Sequence, residues 1–487
     1  MERLNTGIPG LDMVLAGGIP RGALLIVGGV PGTGKTLLCE QIAFSQAAAG
    51  HTSLIVTALS EPHEKLIRHA EEFRWFDWNR IGREVEFLSL YQTVVDQGLG
   101  AAIDLLVRTV RERQASILVF DGFPGLRDIS GDDLAVRRFV FELGGKLGLL
   151  GATTLLVGEY ARDEIGRYSE FSIADGIIML SNDLVGVRHE RWLEVLKLRG
   201  TDYLGGRHRF VISSDGMTVF PRPATLVREA DYRLGEGRLA MGVAGLDAMI
   251  GGGLRAHSVS LLLGTPGTGK TLLSLQFLAE GARRGERGLL VTFHESPAHL
   301  RDQAESMGLV EPAMFDTGAI QILHQPSIEL NVDQVALHIR EEIARGGVRR
   351  LALDSLTNLE QVHDTPASLA DYLVALTTYL RSQGVTTLLI KEIAELAGAP
   401  VTLAGLTVSV TVDNILLLRH VELDGKLERI ISVIKIRDAA FDAMVRRYQI
   451  GPHGLTIGEP LHGVEGLLLG LARLRTEDAQ TTRPEPA

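Results

Sequence analysis

The sequence predicts two α/β domains in tandem, each a mostly parallel central sheet with helices on both faces. Three observations predict it. A glycine-rich loop separates an apolar run from a helix-forming segment at Leu24-Leu25-Ile26-Val27-Gly28-Gly29-Val30-Pro31-Gly32-Thr33-Gly34-Lys35-Thr36. The same arrangement returns at Leu261-Leu262-Leu263-Gly264-Thr265-Pro266-Gly267-Thr268-Gly269-Lys270-Thr271. Short, wholly apolar runs alternate with amphipathic segments through both halves, as in parallel strands covered on both sides.

The loop fits the phosphate-binding pattern G-x-x-x-x-G-K-[ST], filled by Gly29, Gly34, Lys35 and Thr36, and again by Gly264, Gly269, Lys270 and Thr271. Glycines let backbone N–H groups curl around a phosphate with no Cβ in the way. The helix that follows adds unpaired N–H donors and the positive end of its dipole. A lysine reaches the β- and γ-phosphates, and a Thr hydroxyl ligates Mg²⁺. The candidates for nucleotide contact are therefore Gly29, Gly32, Thr33, Gly34, Lys35, Thr36 and Leu37, then Gly264, Gly267, Thr268, Gly269, Lys270, Thr271 and Leu272. A plain glycine-rich turn is the alternative for either loop alone; the repetition and the flanks argue against it.

The repeat extends well beyond the loops. Thr6-Gly7-Ile8-Pro9-Gly10-Leu11-Asp12 is echoed by Met241-Gly242-Val243-Ala244-Gly245-Leu246-Asp247. Lys35 corresponds to Lys270, Glu61 to Glu295, Asp121 to Asp354 and Lys197 to Lys435, a near-constant offset of about 235 residues. An offset of that length means a duplicated domain, not a short solenoid repeat. Leu54 to Thr57 reads as a strand ending near Ser60 and Glu61, and a helix follows from about Pro62 to Phe73. Leu99, Ile103, Leu106 and Val110 have the spacing of one helix face, and Ile117 to Asp121 is the next strand. Val332, Val335, Ile339 and Ile343 make the corresponding helix of the second half, Gly346 and Gly347 end it, and Leu351 to Asp354 is the strand. The expected division is a first domain over 1–224, a linker over 225–237, a second domain over 238–472 and a disordered polar tail over 473–487.

Bulk properties narrow the class. A chain of 487 residues with 45% hydrophobic and 22% charged side chains has the composition of a soluble, multidomain protein. Its net charge of −11 disfavours a dedicated nucleic-acid binder. The single Cys39 forms no internal disulfide and suits a reducing cytoplasm. No segment has the pattern of a signal peptide or a membrane span.

Chemistry beyond phosphate binding needs further groups, and in parallel sheets these gather at the carboxyl ends of the strands. Asp121 and Asp354 each close an apolar strand, where an aspartate can hold Mg²⁺, or alternatively cap a turn. Glu61 and Glu295 end a neighbouring strand and can position the attacking water; a glutamate opening a helix is the other reading. Lys197 and Arg199, like Lys435 and Arg437, share one face of a strand. Such pairs are commonly solvated. In a ring they could instead reach a neighbour's γ-phosphate.

These residues together resemble the KaiC family of RecA-like P-loop ATPases in its tandem form. The likeness rests on the TGIxGLD opening, the two PGTGKT loops, the two Asp-terminated strands and the K-[LI]-R segments, and it covers nearly the whole chain in register. It implies two RecA-like domains, a double-ring hexamer and ATP with Mg²⁺ between adjacent subunits. It assigns catalytic roles to Glu61, Glu295, Lys197, Arg199, Lys435 and Arg437, and nucleotide contacts to Thr201 and Arg429. Thr36, Asp121, Thr271, Asp354 and Glu295 become the metal set. For the clock members it also implies slow hydrolysis in the first ring and autokinase activity in the second, for which Ser409 and Thr411 are the phosphorylation candidates here. A KaiB-like or other signalling protein is the implied partner. The chain departs from the family pattern at Ser60 and His294, which stand where a second glutamate is expected, and at Val410, which has no hydroxyl. The expected function is a KaiC-like ATPase serving signalling or timing. The alternatives are a RadA-like DNA-dependent ATPase and a scaffold that assembles on ATP with little turnover.

Overall fold

The phosphate-loop strand of each half lies inside a nine-stranded sheet. The structure is a computed structural model and describes residues 2–58, 62–185, 188–225, 235–328, 330–363, 365–393, 411–423, 425–437, 439–462, 464–465 and 473–474. The chain divides into two units, Met1–Thr225 and Leu226–Ala487. Glu61, Ser60, Ser409, much of the expected linker and most of the expected tail lie outside the described residues.

In the first unit the sheet strands are β1 (Leu24–Gly29), β2 (Thr52–Thr57), β3 (Val85–Ser89), β4 (Ala115–Asp121), β5 (Thr153–Glu159), β6 (Gly176–Val185), β7 (Arg188–Leu198), β8 (Arg207–Ser213) and β9 (Gly216–Phe220). Their order is β3-β2-β4-β5-β1-β6-β7-β8-β9. From β3 to β6 all neighbours are parallel; β7 to β9 are added antiparallel. The main helices are α1 (Lys35–Ala48), α2 (Tyr91–Arg113) and α3 (Asp133–Leu149).

The second unit repeats the plan. Its strands are β10 (Val259–Gly264), β11 (Gly288–Thr292), β12 (Ile320–His324), β13 (Arg350–Asp354), β14 (Thr386–Glu392), β15 (Asn414–Leu423), β16 (Lys426–Ile436), β17 (Arg446–Gly451) and β18 (Gly454–Pro460). The order β12-β11-β13-β14-β10-β15-β16-β17-β18 has the same topology. Helices α4 (Lys270–Arg283), α5 (Val332–Gly346) and α6 (Pro366–Ser382) correspond to α1, α2 and α3. Both units are therefore RecA-like α/β domains, as expected.

Strand alternation explains how one apolar run feeds two cores. Leu25 and Val27 point to the cluster that contains α1, while Leu24 and Ile26 point to the cluster that contains α2 and α3. In the second unit Leu262 joins one side and Leu261 and Leu263 the other. All of these side chains are buried, and each contributes about 1.5–3 kcal/mol. This is why the strands nearest the phosphate loop are apolar without interruption.

Local differences from expectation have local causes. The helix after β2 is shorter than the apolar pattern suggested, His63–Ala70. Helix α2 starts before Leu99, but Gly98 interrupts it with φ 79 and ψ 177, so the face-forming residues belong to its second part. Gly347 ends α5 in the left-handed region, at φ 65, a conformation that glycine adopts without strain. No described helix is long and apolar enough to cross a membrane. Cys39 is buried and unpaired.

A buried histidine ties the antiparallel edge of the first unit together. His208 Nδ1 accepts from Arg222 N at 3.1 Å, which leaves Nε2 to donate to Leu204 O at 2.9 Å. That arrangement requires the neutral ring, and burial pushes its pKa down. The unfolded ring titrates near 6.5. A folded pKa below that value means that stability is full above about pH 6.5 and is lost as pH falls toward the folded pKa. Between pH 7 and 5.5 the first unit should lose melting temperature faster than a His208→Gln variant, by about 2–4 °C, the shift that about 1 kcal/mol produces in a unit of this size. Parallel melting curves by circular dichroism would show the ring to be uninvolved.

Candidate nucleotide sites at the two phosphate loops

Each loop is shaped by its glycines and left open for an anion. Gly34 sits at the cap of α1 with φ 93, and Gly269 at the cap of α4 with φ 84. Neither helix has a side-chain cap, so the first-turn N–H groups are not claimed by one. Inside the loops Thr33 Oγ1 donates to Val30 O at 2.9 Å, and Thr268 Oγ1 to Thr265 O at 2.7 Å. The lysines fold over the same carbonyls: Lys35 Nζ is 2.9 Å from Val30 O, and Lys270 Nζ is 2.9 Å from Thr265 O. Gly29 and Gly264 end their strands, and Gly32 and Gly267 form the bend. Leu37 and Leu272 lie in the first turn of the helices. Leu37 lines an open cleft of about 820 Å³ that also contains Lys35, Thr36, Asp121, Glu159 and Phe73.

The strand order brings the expected aspartates to the helix threonines. Thr36 Oγ1 is 3.3 Å from both carboxylate oxygens of Asp121, and Thr271 Oγ1 is 2.6 Å from Asp354 Oδ2. Burial raises the pKa of Asp354; the Thr271 hydrogen bond and Lys270 oppose the shift, and Glu295 adds to it. Burial likewise lowers the pKa of Lys35, against the charges of Glu159 and Asp121. Both charges are thus desolvated in a way that a phosphate and a metal ion would relieve. The donor set is a hydroxyl and a carboxylate, which suits a hard cation sharing phosphate oxygens and water. Among the described residues no cluster of three His, Cys, Asp or Glu side chains could hold a metal by itself. Thr36 with Asp121, and Thr271 with Asp354, fit Mg²⁺ delivered with a nucleotide.

Glu295 lies close enough to Asp354 to act on its charge, and its Oε2 is buried with no hydrogen-bond partner among the described residues. His294, which stands beside it, is turned to Asn358, with Nε2 2.8 Å from Nδ2. Arg429 faces the second loop through a neighbour. It pairs in register with His420, whose Nδ1 is 3.3 Å from Thr265 Oγ1, and the charges of Arg429 and Lys270 help burial to lower the His420 pKa.

The K-[LI]-R residues are elsewhere. Lys197 and Arg199 follow β7 down to the start of β1: Lys197 Nζ contacts Phe171 O and Ser172 O, and Arg199 contacts Ser172 O and Ile173 O. Thr201 lies beyond them, accepting from Arg3. Lys435 Nζ donates to Val412 O at 2.8 Å, and Arg437 to Asp413 Oδ1 at 3.3 Å. Thr411 shares this end, its carbonyl accepting from Arg381 at 2.8 Å. Leu198 pairs with Gly176, which pairs with Leu25, so this set is about four strand residues, roughly 13 Å, from the end of β1.

Besides His420, sequence reasoning missed four residues that the repeat pairs. Glu159 and Glu392 end β5 and β14, directly beside Gly29 and Gly264 in register. Glu392 Oε1 is 3.4 Å from Lys270 Nζ. Asp175 and Asp413 accept from Leu24 N and Val259 N, the first residues of the loop strands. The signal that finds them is the repeat, because each pair keeps nearly the offset of Asp121 and Asp354.

The fold and these two sites define a tandem P-loop protein with ATPase-type domains. A family model for the KaiC ATPase matches residues 4–224 and 239–462. The chain belongs to the KaiC ATPase family. It is 30% identical to a circadian clock protein KaiC3 of a Synechocystis species, over 96% of this chain and 94% of that protein. It is 31% identical to a circadian clock oscillator protein KaiC of a Picosynechococcus species, over 96% of this chain and 92% of that protein. A KaiC of Rippkaea orientalis is also 31% identical, with 96% and 91% covered.

Proposed function

We propose that the chain hydrolyses MgATP at both loops as a hexameric ring, with each nucleotide held between adjacent subunits, and that the ring serves signalling or timing. The observation that carries this reading is the placement of charge at opposite ends of each sheet. The phosphate loop, the Thr and Asp pair and the nearby glutamates occupy one end. The cations of β7 and β16 occupy the other, too far to serve their own loop. A neighbouring subunit joins the two ends.

Within such a site Lys35 or Lys270 binds the β- and γ-phosphates. Thr36 with Asp121, and Thr271 with Asp354, would hold Mg²⁺, which would supply charge neutralisation at the transferring phosphoryl group. Glu61 and Glu295 position water, and the neighbour's Arg199 or Arg437 meets the charge of the transition state. Thr411 lies at the cation end, so the same arrangement presents Thr411 to a neighbour's loop for phosphorylation; Ser409, two residues before it, is the other candidate. A KaiB-like protein is the proposed partner.

Lys35→Ala with Lys270→Ala should abolish MgATP-dependent phosphate release, at least about 10²-fold below the parent. Native mass spectrometry in MgATP should give a six-chain mass, and should show added phosphate on Ser409 or Thr411. Undiminished release from the double variant would overturn the ATPase reading. Strong stimulation by single-stranded DNA at low salt would favour a DNA-dependent motor instead.

A further inference from the structure

We propose that Glu392, and Glu159 in the first site, set how each loop discriminates ATP from ADP. The inference rests on the ATPase reading above and deepens it. Neither glutamate belongs to the Thr and Asp metal set, yet both are fixed beside the phosphate loop by backbone. Glu392 pairs with Gly264 in the parallel register, and the next residue, Ile393, donates its N–H to Gly264 O at 3.1 Å. Glu159 pairs with Gly29, and Tyr160 N donates to Gly29 O at 3.3 Å. Tyr160 is itself pinned, its hydroxyl donating to the fully buried Glu170 at 2.9 Å, which Arg127 also holds. These strand ends cannot swing away from the loop without breaking those bonds.

Charge decides what the position does. Glu392 Oε1 lies 3.4 Å from the ammonium of Lys270, which is buried, while the carboxylate is half-exposed. In the first site Glu159 is the leading charge opposing the burial of Lys35. β14 lies between the loop strand β10 and β13, whose Asp354 pairs with Ile390, two residues before Glu392. A lysine serving β- and γ-phosphates must share its ammonium with this carboxylate. Of these two phosphates ADP brings only the β, and leaves Glu392 its partner. ATP adds the γ-phosphate charge beside Glu392 and competes for the same ammonium. Like charges a few ångströms apart in a partly desolvated cleft repel strongly. The glutamates therefore weaken ATP selectively, keep ADP competitive, and tie each site's occupancy to the ratio of the two nucleotides.

The test is binding, not turnover. The full-length chain is titrated calorimetrically with MgADP and with the Mg²⁺ complex of a β,γ-imido analogue of ATP. Glu392→Gln should tighten the analogue about tenfold at half of the sites and leave MgADP within twofold. Glu159→Gln together with Glu392→Gln should do so at all sites, and Glu392→Asp should keep the parent's ratio. An unchanged ratio in the double variant, or equal weakening of both ligands, would overturn the proposal and reduce the glutamates to supports for the lysines. A parent chain that binds neither ligand would sink the ATPase reading itself, which is a different and separable result.

Discussion

Arg199→Ala, in a chain whose second loop is silenced by Lys270→Ala, is expected to lower phosphate release about 10³-fold, the lower range for an arginine supplied in trans. Nucleotide affinity of the variant's own loop should change less than twofold. The expectation follows from position. Arg199 is held against Ser172 O and Ile173 O, with Asp175 3.6 Å away, at the start of β1, whereas the phosphate loop begins at its end. A residue acting on its own loop would have to cross the strand. Mixing separates the two cases. Chains with Lys35→Ala retain Arg199, and chains with Arg199→Ala retain the loop. Rings co-assembled from both should recover activity at the interfaces that combine an intact loop with an intact arginine. Equal activity of Arg199→Ala and parent, or no recovery on mixing, would remove the trans-acting role.

Asp413→Ala is expected to destabilise the second unit by about 3–5 kcal/mol, the range for breaking a buried ion pair from one side. Asp413 accepts from Val259 N at 2.9 Å, from Arg381 at 2.8 Å and from Arg437 at 3.3 Å, and both it and Arg381 are almost fully buried. Removing the carboxylate leaves the Arg381 guanidinium charged in a dry setting. The counterpart Asp175→Ala should cost far less, about 1 kcal/mol, because Asp175 is 41% exposed and its arginine 56%. Urea unfolding of both variants, followed by unit-specific fluorescence or hydrogen exchange, gives the comparison. A loss under about 1 kcal/mol for Asp413→Ala would show that the guanidinium finds another partner.

Much of the fold was legible because its signals are local. The loop pattern, the uninterrupted apolar strands and the repeat each follow from residues near in sequence, and Asp121 and Asp354 were found because an aspartate ending an apolar run is conspicuous. Glu159 and Glu392 end such runs too, but their importance comes from which strand lies next to β1 and β10. That order is a property of crossovers and is not written in any short stretch. His420 was hidden for the same reason, since its partner Thr265 lies over 150 residues away. Lys197 and Arg199 were candidates for a neighbour's site from their strand spacing alone, but their distance from their own loop emerges only once β6 and β7 are paired.

Asp413 binds the first amide of β10, and β10 ends at the phosphate-loop motif. It also steadies Arg437. One short strand thus links the phosphate-loop motif at one tip to the cation Arg437 at the other. In the proposed ring, a shift of the strand on nucleotide binding would reach the cation that faces the next subunit's loop.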